Sequence, residues 1–241
     1  MINILRTIFT FSLLGIYTVI FASIVIIISF FQKYSEFSYE VIARSWARIQ
    51  LWCAGIKVKV EGAENIEDGK SYMIVCNHQS HSDIPVMIAH MPIRMTIIAK
   101  QELFKVPFFG PGMRAIGILS IDRKNREKAF RTLQEAAKVI RERQISVLAF
   151  PEGTRTSDGK MQPFKKGPFM LAIDADIPIL PVTLDGTFEI FPKGSLVFKP
   201  GNATITVHPP VSIEGYSRTN RDELMNRVHD IMSRSLYETV E

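Results

Sequence analysis

Cysteine is scarce in this 241-residue chain: Cys53 and Cys76 are the only two, both in apolar surroundings. That excludes a disulfide-stapled scaffold and points to reduced, buried thiols. Internal repeats and low-complexity segments are absent from the sequence, which excludes solenoids and repeat arrays. Charge of one sign is not strongly favoured either. The formal net charge is +5 and the pI is near 9.2. Such a balance suits solubility or an anionic partner, whether nucleic acid, a lipid surface or an acidic protein.

Charge is missing altogether from residues 7–32, "TIFTFSLLGIYTVIFASIVIIISFFQ". As a helix this run is about 39 Å long at ~1.5 Å per residue, more than the ~30 Å of a bilayer's hydrocarbon core. It is too long for a typical signal-peptide core and lacks a clear small-x-small cleavage site. No other helical stretch in the sequence is apolar enough to enclose it in a soluble protein. The next stretch, residues 36–57, places Phe37, Val41, Trp46, Ile49, Trp52 and Cys53 near helical spacing, with Arg44 and Arg48 elsewhere. Tryptophan with arginine suits a membrane interface, and a core-packing helix has the same pattern. Arg6 against Lys33, Arg44 and Arg48 favours a cytoplasmic catalytic domain. The division expected is therefore a membrane-associated segment over 1–56 and a catalytic domain over 57–241.

Beyond Ile56, short β-rich runs alternate with helical patterns. Strands are expected at 56–60, 71–76, 94–99, 117–121, 145–150, 177–184 and 203–208, each rich in Val or Ile and bounded by Gly, Pro or Asp. Pro178 and Pro181 make the sixth read as an edge or floor rather than a central rung. Helices are expected over 125–143, with Phe130, Leu133, Ala137 and Ile140 as its stripe and Asn125 as its cap, and over 219–238, capped by Thr219. The alternation predicts an α/β layered domain.

The chemistry-bearing residues crowd into "NHQSHSDIP", residues 77–85, directly after the apolar run "YMIVC". On one continuous helix His78 and Asp83 would sit about 140° apart, at roughly 100° per residue, and would not meet. They meet if His78 ends a strand and Asp83 opens the next helix, a break that Pro85 favours. Asp83 then accepts a hydrogen bond from one imidazole nitrogen and leaves the other as a free base. Three rival readings use the same residues. His78, His81 and Asp83 form a loose metal-ligand string, with His208 able to reach in. Ser80 or Ser82 is a nucleophile, although no G-x-S-x-G turn presents it. Or the stretch is a plain turn with a capping aspartate.

Three further stretches bear on the choice. "AFPEGTRTSDG", 149–159, follows a strand and throws Glu152, Gly153, Thr154 and Arg155 into a loop, a plausible phosphate cradle. "GILSIDR", 117–123, ends a strand at Asp122 and Arg123, and "IPILPVTLDG" spans 177–186. Together with "NHQSHSD" and the segment "KQELFKVPFFG" at 100–110, these blocks stand in the order found in the glycerolipid acyltransferases. Over residues 70–185 the chain resembles that family, within it the branch that acylates 1-acyl-glycerol-3-phosphate. Thr156 stands where the family usually has serine and keeps the hydroxyl.

The resemblance implies a mixed central sheet flanked by helices. It implies transfer of a fatty acyl group from an acyl thioester, either acyl-ACP or acyl-CoA, to the sn-2 hydroxyl of lysophosphatidic acid. His78 would be the base and Asp83 its orienting partner. Glu152, Gly153, Thr154 and Arg155 would hold the phosphate, with Arg123 and Lys100 as further cations. No metal, no cofactor beyond the thioester co-substrate and no nucleic acid are implied, and membrane lipid is. At ~0.8 kcal/mol per methylene, a 16-carbon chain favours an apolar phase by about 12 kcal/mol, so the acceptor stays in the leaflet.

Overall fold

A computed structural model describes residues 1–121 and 126–238, with side chains described outside positions 121–133. Arg123 and Asn125, singled out above, lie outside the described residues, as do the side chains of Phe130 and Leu133. All seven expected strands form, each within two residues of its expected span.

The chain opens with α1 (Ile2–Phe31), and a π-helical stretch (Ser38–Ala43) runs into α2 (Arg44–Ala54). Then follow β1 (Ile56–Glu61), β2 (Met73–Cys76), α3 (Asp83–His90), β3 (Met95–Lys100), α4 (Phe109–Ala115), β4 (Leu119–Ile121) and α5 (Arg126–Arg143). The last third comprises β5 (Ser146–Ala149), α6 (Gly167–Ala175), β6 (Ile179–Asp185), α7 (Thr187–Ile190), β7 (Gly201–Val207) and α8 (Arg221–Tyr237).

The strands form one sheet in the order β1-β7-β6-β2-β5-β3-β4. From β6 to β4 the neighbours run parallel. β7 is antiparallel to β6, and β1 is parallel to β7, which makes the sheet mixed. The period-two alternation of β2 assigns its side chains to two cores. Ile74 and Cys76 pack with Leu51, Val86 and Met87 on the face of α2 and α3, whereas Met73 and Val75 pack with Ile140, Phe169, Leu224 and Val228 on the other. Both faces are covered, as a parallel sheet requires.

Two expectations need correction. β6 is an interior strand between β2 and β7, not an edge. Its Pro181 is tolerated because the Pro181 carbonyl accepts from the His208 N–H, so the nitrogen faces the same side, where β7 has already ended at Val207. The last helix begins at Arg221, with Asn220 rather than Thr219 at its N-cap; the Asn220 Oδ1 is taken by the Ser217 N–H.

The second apolar stretch is divided between the two roles that its pattern allows. Ala47, Leu51 and Ala54 are buried, while Phe37, Val41 and Trp52 face outward, the last 78% exposed. The π-helical turns that precede α2 offset the register of the two halves.

α1 lies along the domain. The Phe198 N–H donates to Thr7 Oγ1 at 2.9 Å near one end, Trp46 Nε1 donates to Thr18 Oγ1 at 2.8 Å in the middle, and Ala22 meets Gly112 toward the other end. Its opposite face carries Ile8, Phe9, Ile16, Ile20, Ile24 and Ile27, all exposed. The helix is long and apolar enough to cross a bilayer.

Candidate active site

Parallel strands present their carboxyl ends at one edge of the sheet, where α/β folds place their ligands. β2 and β5 are neighbours, so the "NHQSHSD" and "FPEGTRT" loops emerge side by side. Asn77 marks the departure point. Its Nδ2 donates to the Leu184 carbonyl at 2.9 Å, and its Oδ1 accepts from the Leu184 N–H at 2.7 Å. This side chain continues the pairing with β6 while the backbone turns away.

Asp83 is fully buried at the first position of α3. Its Oδ2 lies 2.7 Å from His78 Nδ1 and accepts from the Gln79 and Ser80 N–H groups at 2.7 and 2.8 Å. The turn is thus wound around a single carboxylate oxygen, which fixes Nδ1 as the bonded nitrogen and leaves Nε2 for other work. The His78 ring stacks on Phe150, with centroids 4.1 Å apart and planes 21° apart. A ring held on its edge and on its face has little rotational freedom left.

The second loop is tied to the first by two backbone links. Glu152 Oε1 accepts from the His78 N–H at 2.7 Å, and the Thr156 N–H donates to the His78 carbonyl at 3.0 Å. Glu152 Oε2 accepts from the Gln162 N–H at 2.9 Å. Both its oxygens therefore face inward, to backbone donors. Burial pushes this carboxyl up to about 7, against the pull of those two N–H groups.

Arg155 stands close enough for its charge to act on both His81 and Asp83. It forms no hydrogen bond or ion pair among the described residues, so its fork of donors is available. Thr154 is exposed and Gly153 half-buried. Gly153 has a φ of +73°, and a Cβ there would lie 2.5 Å from Lys165 Nζ. Lys165 is a second cation over the loop. No pattern in "PFKKG" marked it out.

Lys100 ends β3 on the same edge of the sheet, two strands from β2, with its Nζ 3.4 Å from Glu102 Oε1. It is not in the His78 cluster. His81 turns its ring to Phe191, centroids 4.7 Å apart, and His208 Nε2 lies 3.2 Å from Thr183 Oγ1, so neither joins His78 and Asp83. Among the described residues no three His, Cys, Asp or Glu side chains are placed to hold a metal ion. Ser80 Oγ donates to the Phe191 carbonyl at 2.8 Å and accepts from the Ser82 N–H at 3.0 Å, as a turn hydroxyl rather than a nucleophile.

Residues 57–185 match the family described as Acyltransferase. The chain belongs to that family. It is 33% identical over 186 residues to the 1-acyl-sn-glycerol-3-phosphate acyltransferase of Limnanthes douglasii, covering 77% of this chain and 66% of the relative. It is 35% identical over 178 residues to the human alpha form, covering 74% and 63%. The chain thus spans just under two thirds of the length of these curated relatives. The crystal structure of the 1-acyl-sn-glycerophosphate (LPA) acyltransferase, PlsC, from Thermotoga maritima superposes with a TM-score of 0.83 at 30% identity, covering 97% of this chain and 94% of that one. The fold of this family member is therefore shared almost from end to end, α1 included.

Proposed function

We propose that the chain transfers a fatty acyl group from a thioester, acyl-ACP or acyl-CoA, to the sn-2 hydroxyl of 1-acyl-glycerol-3-phosphate, giving phosphatidic acid. The observation that carries this reading is the 2.7 Å contact between His78 Nδ1 and a buried Asp83 oxygen, one backbone link away from the Arg155 loop. His78 Nε2 takes the hydroxyl proton as the alkoxide oxygen attacks the thioester carbon. The C–S bond breaks, and the proton passes to the departing thiolate. Asp83 holds the tautomer and stabilises the imidazolium between those two events.

Arg155, with Gly153, Thr154 and Lys165 around it, holds the acceptor's phosphate. Glu152 braces the loop instead of touching the anion, because both its oxygens are occupied by backbone N–H groups. The apolar cavity of about 130 Å³ that Ile84 and Ile88 of α3 help to line, with Phe109 and Met113 opposite, takes only a part of the fatty chain. α1 lies in one leaflet with its exposed face in hydrocarbon. It cannot stand across the bilayer without drawing the domain in with it, since the two touch near both its ends. The catalytic domain then sits at the inner membrane on its cytoplasmic side.

Purified full-length protein, an acyl thioester and a panel of lysolipids, with products read by mass spectrometry, test the reading. His78→Ala is expected to cut kcat by ~10²–10⁴-fold with KM for the acceptor within a few-fold. Arg155→Ala is expected to raise KM for lysophosphatidic acid at least tenfold, a bidentate grip being lost. An unchanged KM would remove the phosphate assignment, and a full kcat in His78→Ala would remove the base.

A further inference from the structure

A second cationic site lies on the opposite edge of the sheet. A cavity of about 690 Å³ opens at the amino ends of β3 and β4, where Met95, Thr96 and Leu119 begin their strands. Four cations line it: Lys33, Arg94, Arg114 and Arg143. No carboxylate lines it among the described residues, and none of the four forms an ion pair with one. Like charges gathered without a counter-ion repel, and such a group is stable when an anion sits among them.

Three of the four are fixed in place, Arg114 by a hydrogen bond from its Nη1 to the Phe104 carbonyl at 3.2 Å. Arg94 donates to the Tyr34 carbonyl, and the Arg143 guanidinium lies over the Tyr34 ring, 3.9 Å from its centroid. A stacked guanidinium keeps its in-plane N–H donors for a ligand. Tyr34 itself is held at a φ of +59°, a conformation that costs energy for a residue with a side chain. It lies three residues beyond the end of α1, whose last two residues, Phe30 and Phe31, are 82% and 89% exposed. The site therefore stands where an apolar surface gives way to a polar one. Ile116 and Ile118 are shared between its wall and the apolar cavity on the α3 side.

We propose that this cavity binds a phosphate group, supplied either by the head of an anionic glycerophospholipid or by free phosphate. A lipid head would meet cations at the depth where the exposed face of α1 meets its acyl chains. The site is separate from the Arg155 loop and does not depend on acyl transfer.

The test uses the purified full-length protein in a non-ionic detergent, titrated with dihexanoyl-phosphatidylglycerol, dihexanoyl-phosphatidylcholine and inorganic phosphate, with affinity read by calorimetry. Lys33→Gln/Arg143→Gln is expected to weaken phosphatidylglycerol binding about tenfold or more, and Arg155→Ala to leave it within twofold. Lys33→Gln alone alters an exposed side chain and is expected to weaken binding about threefold with unfolding unchanged. Tighter binding of phosphatidylglycerol than of inorganic phosphate, both sensitive to the double substitution, identifies a lipid head; equal binding identifies free phosphate. Binding that survives both the double and the single substitution, that is lost in Arg155→Ala instead, or that is absent for every anionic probe overturns the proposal, as does tighter binding of phosphatidylcholine.

Discussion

One oxygen of Asp83 accepts three hydrogen bonds while the other, equally buried, has no partner among the described residues. The load is uneven because the turn is built around a point. That turn was legible in residue types: a strand's last apolar residue, a histidine, and an aspartate five positions on with proline behind it. Glu152 was not, because which way a loop carboxylate faces depends on donors contributed from distant positions, here His78 and Gln162. With its folded value raised from the usual 4.5 to about 7, the native state holds this proton more tightly than the unfolded chain does. Its contribution to stability is complete below pH 4.5 and is lost as pH rises through about 7. The thermal margin of the wild type over Glu152→Gln, whose amide does not titrate, is therefore expected to shrink between pH 5 and pH 8 in calorimetric scans. A margin that widens over that range would mean that the two N–H donors outweigh burial.

Elements were easier to read than their neighbours in space. Strand spans follow from local Val and Ile content, so β1 to β7 came out nearly as expected. Sheet order does not follow from local pattern: Pro178 and Pro181 marked an edge, and only the early end of β7 explains why an interior strand tolerates Pro181. The seat of α1 on α4 was likewise hidden, since it rests on two small residues. A Cβ on Gly112 would approach Ala22 Cβ to 3.0 Å. Gly112→Ala is expected to change stability by less than ~1 kcal/mol, the gain in helix propensity offsetting the tight contact. Gly112→Leu is expected to cost ~1–3 kcal/mol by overpacking, a fall of several degrees in Tm. Equal melting temperatures for glycine and leucine would show that α1 is not seated there.

For the molecule as a whole, the apolar outer face of α1 is its largest departure from an ordinary soluble surface. That the run was too apolar for a soluble helix was plain from its missing charge; that it lies along the domain rather than projecting from it was not, because contacts such as Phe11 against Phe198, 5.3 Å between centroids, join residues far apart in the chain. Ile16 and Ile20 are 64% and 51% exposed. Ile16→Asp/Ile20→Asp, each aspartate costing up to ~3 kcal/mol in hydrocarbon, is expected to lower vesicle partitioning at least tenfold in flotation assays with the fold intact. Undiminished flotation would assign membrane binding to some other surface.

A helix seated along its length cannot tilt by itself. The height of His78 above the greasy outer face of α1 is therefore a fixed dimension of the molecule, like the gap of a calliper. Host bilayers of different thickness should leave that gauge unmoved, whereas anything that lifts the acceptor's glycerol away from the acyl chains, such as a bulkier head, would carry the hydroxyl out of its reach.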